Sequence, residues 1–306
     1  MNSRVVFWVE EYFYNPNILQ KFLSFLLLPL SWLYCFGMWL RFKFKRPKDM
    51  GLPVVGVGNL NIGGSGKTPL VTALAKNYKN VAIVLRGYGR ASRGLVVVKD
   101  KQNILCDVSQ SGDEAMIYAK KLEDAVVIVS EDRKLGIQQA KQMGIEIVFL
   151  DDAYSKHDIQ KLDILIDVET KNKRCLPSGA YREKLWNGKE VIHVEDGKDF
   201  KREVSLKNET SNMSFVTAIA RPKRLDSYLP NVLAKHYFED HHNFTKDEIE
   251  EIFNEDGCSS LLVTFKDYVK LEGFGYKLSL LDLDVEVDTK LFEIIDRYML
   301  KYTTRN

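Results

Sequence analysis

Apolar and polar positions alternate in blocks along the chain. Short apolar runs, PVVGVG at Pro53 to Gly58, VAIVL at Val81 to Leu85, VVIV at Val126 to Val129, IEIVFLDD at Ile145 to Asp152 and ILI at Ile164 to Ile166, are separated by stretches of helical spacing such as LVTALAKNY, EAMIYAKKL and RKLGIQQAKQM. Runs this short, with no polar alternation, read as strands buried on both faces. Their regular exchange with helices predicts a parallel sheet covered by helices on both sides.

The N-terminus is patterned differently. Phe22 to Leu40 carries no charged residue, and about 19 helical residues reach roughly 28 Å, close to the hydrocarbon thickness of a bilayer. Pro29 and Ser31 interrupt the run, and Trp32, Tyr34 and Trp39 are residues that favour the membrane interface. An aromatic stretch with Phe7, Trp8, Tyr12, Phe13 and Tyr14 precedes it. Both a spanning helix and one lying in a single leaflet fit this pattern. Arg41, Lys43, Lys45, Arg46 and Lys48 follow where a cleavage site would stand in a signal peptide, and they suit anionic headgroups on the cytoplasmic side. A buried core helix seldom shows so long an uncharged run with a basic skirt.

Composition narrows the class. With 306 residues, 45% hydrophobic and 28% charged, the chain can bury a sizeable core. The expected division is a membrane-associating segment at 1–46, a nucleotide-binding core at 47–210 and a smaller C-terminal α/β domain at 211–306. Net charge is +2 without a basic stripe, which excludes the electrostatic footprint of a nucleic-acid binder. Cys35, Cys106, Cys175 and Cys258 are widely spaced, so a zinc knot or disulfide framework is not expected and a reducing setting is.

The sharpest motif is GGSGKTP, Gly63 to Pro69, between the PVVGVG strand and a helical pattern. Strand, glycine loop and helix in that order bring backbone N–H groups and the positive end of a helix dipole onto a phosphate. Gly63, Gly64, Ser65, Gly66, Lys67 and Thr68 would cradle ATP, with Lys67 on the β- and γ-phosphates and the Thr68 hydroxyl on Mg²⁺. The expected fold class is thus P-loop NTPase-like α/β. Asn61 stands where the strict P-loop pattern has glycine, and it also breaks the third glycine of a dinucleotide fingerprint begun by Gly56 and Gly58. Asp151 and Asp152, ending a buried strand, are the carboxylates a magnesium nucleotide needs, although a strand-end turn explains two acids equally well.

An alcohol acceptor must also lose a proton. SGDEAM offers Asp113 and Glu114, and FEDHHNF offers Asp240, His241 and His242; either could be only a helix N-terminus. No Asn-Lys-x-Asp base-recognition motif occurs to support a membrane-attached nucleotide switch acting through a protein partner, and no obligate protein partner is evident.

Taken in order, LLLPLSWLY with its basic tail, VVGVGNLNIGGSGKTP, LRGYGR, SGDEAM, SEDR, VFLDDAYSKH, LPSGAYRE, FEDHHNF and LLVTFKDYVKL resemble the tetraacyldisaccharide 4′-kinases of lipid A assembly in Gram-negative bacteria. That family likewise has a non-glycine at the place of Asn61. The resemblance implies transfer of the ATP γ-phosphate to the 4′-hydroxyl of a tetraacylated glucosamine disaccharide 1-phosphate at the cytoplasmic face of the inner membrane, by a P-loop core hinged to a smaller domain. It implies Asp113 as general base with His241, the first of the pair, as its partner. Glu114, Asp151 and Asp152 would stand on the magnesium side, and Arg182 and Arg86 would face phosphate or substrate. DDAYSKH departs from the usual Asp-Asp-Gly-Phe-Gln-His, so no role carries over to Tyr154, Ser155 or His157.

Overall fold

The N-terminal apolar segment is bent on itself. In the computed structural model, which describes residues 3–63 and 65–303, it forms α1 (Ser3–Tyr14), α2 (Ile18–Leu26) and α3 (Leu28–Phe44). Gly64 lies outside the described residues, as does the side chain of Phe7. A capping box of Asn17 and Gln20 starts α2. Pro29 sits in the first turn of α3, where its missing N–H leaves no bond unmade. The two helices meet at 59°, so the run expected as one helix is two; no single helix is long and apolar enough to cross a membrane, although the bent pair passes by length and composition. Their outer face exposes Ile18, Leu19, Phe22, Trp32, Leu33 and Phe36, whereas Tyr12, Gln20, Ser24 and Ser31 are buried inward.

The central sheet follows: β1 (Val54–Gly58), α4 (Lys67–Ala75), β2 (Val81–Leu85), β3 (Val96–Lys99), α5 (Val108–Ser111), α6 (Asp113–Lys121), β4 (Val126–Val129), α7 (Arg133–Gln142), β5 (Ile147–Asp151), β6 (Leu162–Ile166) and β7 (Ile192–Val194). Its order is β3-β4-β2-β5-β1-β6-β7, parallel except for β3. Residues of α4 and α6 share the apolar core on one face and residues of α7 the core on the other. The neighbouring carboxyl ends of β1 and β5 therefore open together, which is where open parallel sheets bind ligands.

A second sheet is made by β8 (Phe200–Lys207), β9 (Met213–Thr217), β10 (Lys235–Tyr237), β11 (Ser260–Thr264) and β12 (Leu278–Val287), with α8 (Lys246–Glu255), α9 (Phe265–Leu271) and α10 (Thr289–Thr303). The order is β10-β9-β11-β12-β8, with only β8 antiparallel. Two contacts cross the expected boundary at 210. Strand β8 pairs with β12 along its whole length and belongs to the second sheet. Helix α10 returns to the first, its Leu291 and Ile295 in the same core as β1 and α4, and Tyr78 donating to Asp296 at 3.0 Å.

The cysteine reading is also corrected. Cys35 of α3 is disulfide-bonded to Cys175 across 140 residues, with a Cα separation of 6.1 Å. It is a single bond, invisible to local spacing because only the packing of α3 against the 175–183 loop brings the partners together. The same contact uses hydrogen bonds: Tyr12 to the Pro177 carbonyl (2.9 Å), Ser24 to that of Ser178 (2.6 Å), Ser31 to that of Cys175 (2.7 Å) and Tyr34 to that of Arg182 (3.0 Å).

Candidate active site

The phosphate loop leaves β1 through Gly58, where any side chain would collide with Tyr154: an added Cβ would stand 2.9 Å from its backbone nitrogen. The loop enters α4 at Gly66, whose φ of +77° is left-handed. Asn61 is buried and works as a brace. It bridges to Tyr181, and the neighbouring Ile62 and Arg182 amides bond to Ala180 and Leu60. Backbone pairing thus ties the loop to the LPSGAYRE segment, and the Asn61 side chain adds a bond to the Val168 carbonyl at 3.3 Å. Lys67 Nζ donates to Asn59 (3.0 Å) and stands 3.4 Å from an Asp152 oxygen.

The two strand-end aspartates point in different directions. Asp152, at a left-handed φ of 52°, is gripped through both oxygens by Arg182. Burial would raise it, but Lys67 and Arg182 outweigh that and hold it at about 2. Asp151 is buried; one oxygen accepts from Tyr118 at 2.9 Å and the other has no partner. Burial pushes Asp151 above the usual carboxylate range, against the pull of Lys67. Glu114 is pushed up to about 7 by burial and by the Asp151 charge. A buried carboxylate oxygen without a donor among the described residues, beside a second carboxylate whose ionisation burial and the first both oppose, is a donor set that suits a divalent cation.

Asp113 begins α6 and is 6% exposed. It accepts from His241 Nδ1 at 3.0 Å, with Lys270 at 3.5 Å and Lys266 at 3.7 Å. Burial alone would raise this carboxyl; the histidine bond and the two ammonium groups hold it well below the ordinary range. An ionised carboxylate only accepts, so Nδ1 carries the imidazole hydrogen and Nε2 presents its lone pair, 3.2 Å from Lys266 Nζ. His242 turns away to Glu248 at 3.3 Å. The FEDHHNF segment is a turn ahead of α8, whose cap is Thr245, so His241 is not at a helix N-terminus.

Local chemistry explains how the second sheet delivers these groups. Asp267 is fully buried and accepts from Thr217 and Thr264 (2.7 Å each) and from the Ala218 amide (3.0 Å). That knot fixes the start of α9 against the end of β9. Lys266 and Lys270 on α9, and His241, whose amide bonds to the Ala218 carbonyl, are aimed from it at Asp113.

One cavity of about 1180 Å³ is lined by Gly63, Ser65 to Thr68, Glu114, Asp151, Asp152, Arg86, Arg182, His241 and Lys266, and is reached by Arg41 of α3 and by Lys45 just beyond it. Arg86 projects from the end of β2 into it and is exposed. The sequence reading missed Lys266, Lys270 and Arg202, whose guanidinium crosses from β8 to the Ser65 carbonyl (3.0 Å). It also gave no role to Arg133, which is 3% exposed behind Asp151 and Asp152. Lys266 and Arg133 lie within TFKD and SEDR, segments already conspicuous as motifs; Arg202 sits in a plain alternating strand that gives no signal.

Residues 23–300 match the model of the tetraacyldisaccharide-1-P 4′-kinase family. The chain is 44% identical to the tetraacyldisaccharide 4′-kinase of Aliarcobacter butzleri over 98% of its own length and 99% of that protein's. It is 44% identical to the Helicobacter pylori HPAG1 enzyme of the same name, over 96% of each. The crystal structure of LpxK from Aquifex aeolicus in complex with ATP superposes with a TM-score of 0.72 at 28% identity, covering 90% of this chain and 99% of that one. The chain belongs to the tetraacyldisaccharide-1-P 4′-kinase family.

Proposed function

We propose that the protein transfers the γ-phosphate of ATP to the 4′-hydroxyl of a tetraacylated glucosamine disaccharide 1-phosphate, at the cytoplasmic face of the inner membrane of a Gram-negative bacterium. The observation that carries this reading is a single cavity shared by the phosphate loop, by His241 and by the inward face of an N-terminal helix whose outward face is apolar.

The phosphates of ATP bind the loop of Gly63 to Thr68 at the N-terminus of α4, where N–H groups and the helix dipole favour them and Lys67 turns to them from Asn59. Thr68, Asp151 and Glu114 would hold Mg²⁺, which would supply charge neutralisation for the phosphates. Asp152 was expected on the magnesium side as well; with both oxygens on Arg182 it instead fixes that arginine and Lys67 toward the phosphates.

The acceptor proton goes to the Asp113–His241 pair. Asp113 is the base and His241, hydrogen-bonded to it through Nδ1, its partner. In the empty cavity the carboxylate is held too low to be a good base. Lys266 supplies part of that hold and lines the cavity, so an arriving phosphate competes for it; the charge withdrawn from Asp113 raises its proton affinity as the reactants assemble.

The acceptor's four acyl chains keep it in the bilayer, since each buried CH₂ is worth about 0.8 kcal/mol. On α3, Tyr34, Met38 and Arg41 recur at helical spacing and, with Lys45 just beyond the helix, line the active-site cleft or the adjoining pocket. Trp32, Leu33, Phe36 and Trp39 are exposed on the other side. The acyl chains then stay with the exposed residues while the sugar enters the cleft.

The test is phosphate transfer from γ-labelled ATP with Mg²⁺ to the tetraacylated disaccharide 1-phosphate in mixed micelles, beside Lys67→Ala. Labelled bisphosphorylated lipid from the wild type alone is the expected result. ATP hydrolysis without labelled lipid would sink the proposal.

A further inference from the structure

The loop that follows β5 carries Lys156, which shares the cavity wall with Arg41 of α3, Lys45 just beyond that helix and Arg133 at the start of α7. Lys156 is half-buried on the cavity wall and, among the described residues, its ammonium makes no hydrogen bond or ion pair. Its charged neighbours are Arg133, Lys45 and Arg41, with Asp158 the one acid among the charges felt most strongly. Asp158 is already shared between Lys134 at 2.7 Å and Lys45 at 3.4 Å. Arg41 bonds the Ser155 carbonyl (2.7 Å) and Glu183 (3.3 Å), which fixes its guanidinium while leaving donors over. Arg133 forms the floor, and its buried Nε has no partner. Burial and the neighbouring cations depress the proton affinity of Lys156. Arg41 has Glu183, Lys45 has Asp158 and Arg133 has Asp151 and Asp152, so Lys156 is the ammonium of the group that a bound dianion would pair.

The cluster shares the cavity with the phosphate loop and lies toward the basic end of α3, where Arg41 and Ser155 also line the small pocket of Asn59, Asp152 and Arg182. The Asp152–Arg182 pair stands next to Lys67 on the phosphate-loop side, whereas Lys156 adjoins the basic end of α3. We propose that Lys156, with Arg41 and Lys45 at the rim and Arg133 beneath, is the seat for the phosphate the acceptor already carries, and so selects a phosphorylated disaccharide. This rests on the kinase reading above. It also gives a role to the segment in which DDAYSKH departs from the usual family text.

A phospholipid headgroup offers the same chemistry, so the experiment separates the two sources. The kcat/KM of wild type, Lys156→Gln and Lys156→Arg is measured in neutral detergent micelles with two acceptors, the tetraacylated disaccharide 1-phosphate and the same lipid with a free 1-hydroxyl. It is then repeated with anionic phospholipid added. If the hydroxyl form is not turned over, its inhibition constant against the phosphorylated acceptor replaces kcat/KM. Loss of a charge-assisted phosphate contact predicts a fall of about tenfold or more for the glutamine variant with the phosphorylated acceptor. With the hydroxyl form the change should stay within about twofold, KM for ATP should hold, and Lys156→Arg should recover most of the loss. An equal fall with both acceptors, or a loss that appears only with anionic phospholipid, overturns the proposal. Failure of the wild type to label either acceptor overturns the kinase reading instead, and the seat with it.

Discussion

Replacing Asp113 by asparagine keeps the shape of the side chain and removes its charge. The carboxylate is 6% exposed, with ammonium groups at 3.5 and 3.7 Å and an imidazole N–H at 3.0 Å. At an effective dielectric of about 20, each ammonium attracts it by roughly 4 to 5 kcal/mol before desolvation is subtracted. What the variant exposes is the other side of that balance: Lys270 loses its carboxylate while Lys266 keeps Asp240 at 2.9 Å, and breaking a buried pair costs about 3 to 5 kcal/mol. An amide takes no proton and does not fix the imidazole tautomer, so turnover should fall by about 10² to 10⁴. Urea unfolding and single-turnover phosphate transfer read the two effects, and ATP affinity serves as the control because the phosphate loop is untouched. The sign with pH is definite. The native carboxyl titrates below its unfolded value of about 4, so its stabilisation is complete above that value and is lost as pH falls through the native pKa. The stability gap between wild type and variant should therefore be flat from pH 5 to 8. A variant with wild-type urea midpoint and turnover within about threefold would refute the assignment.

Glu114 should behave in the opposite sense. Its pKa is raised to about 7, so its ionisation opposes folding as pH climbs from the unfolded value toward 7, and Glu114→Gln should be more stable than wild type at pH 8 without Mg²⁺ while losing turnover and Mg²⁺ affinity; thermal melts with and without the ion check both. In the wild type, Mg²⁺ affinity should strengthen as pH rises through about 7, which titration calorimetry reads directly. Trp32→Glu combined with Leu33→Glu, both 68% exposed, should abolish flotation with vesicles and cut turnover of bilayer-embedded acceptor at least about tenfold while ATP affinity holds; unchanged flotation would show that this face is not the docking surface. Deleting residues 1–45 is a poorer test of docking, because Ser24, Ser31 and Tyr34 also brace the loop that carries Arg182.

Much of the architecture was legible because strands buried on both faces leave unbroken apolar runs. Val81–Leu85 and Val126–Val129 are β2 and β4 to the residue. Strand β8 was not, since its Phe200, Val204 and Leu206 alternate with charges and its partner β12 lies more than seventy residues on. The apolar N-terminal run gave its composition truly but not its shape: Leu27 and Pro29 divide it, and burial of Ser24 and Ser31 against the 175–183 loop holds the bend.

Within the site, local order alone determined the phosphate loop. Strand, glycines, lysine and helix are consecutive, and the chemistry of a helix N-terminus needs nothing distant. Which partner each carboxylate meets was decided only by the tertiary structure. Asp151 and Asp152 are adjacent in sequence, yet a left-handed turn sends one to Arg182 and leaves the other with an unpartnered oxygen. Asp113 and His241 are 128 residues apart, and the lysines that set the acidity of the pair arrive on α9 from the second sheet. Acidity depends on burial and on charges a few ångströms away, and those distances exist only once the two sheets have closed on each other.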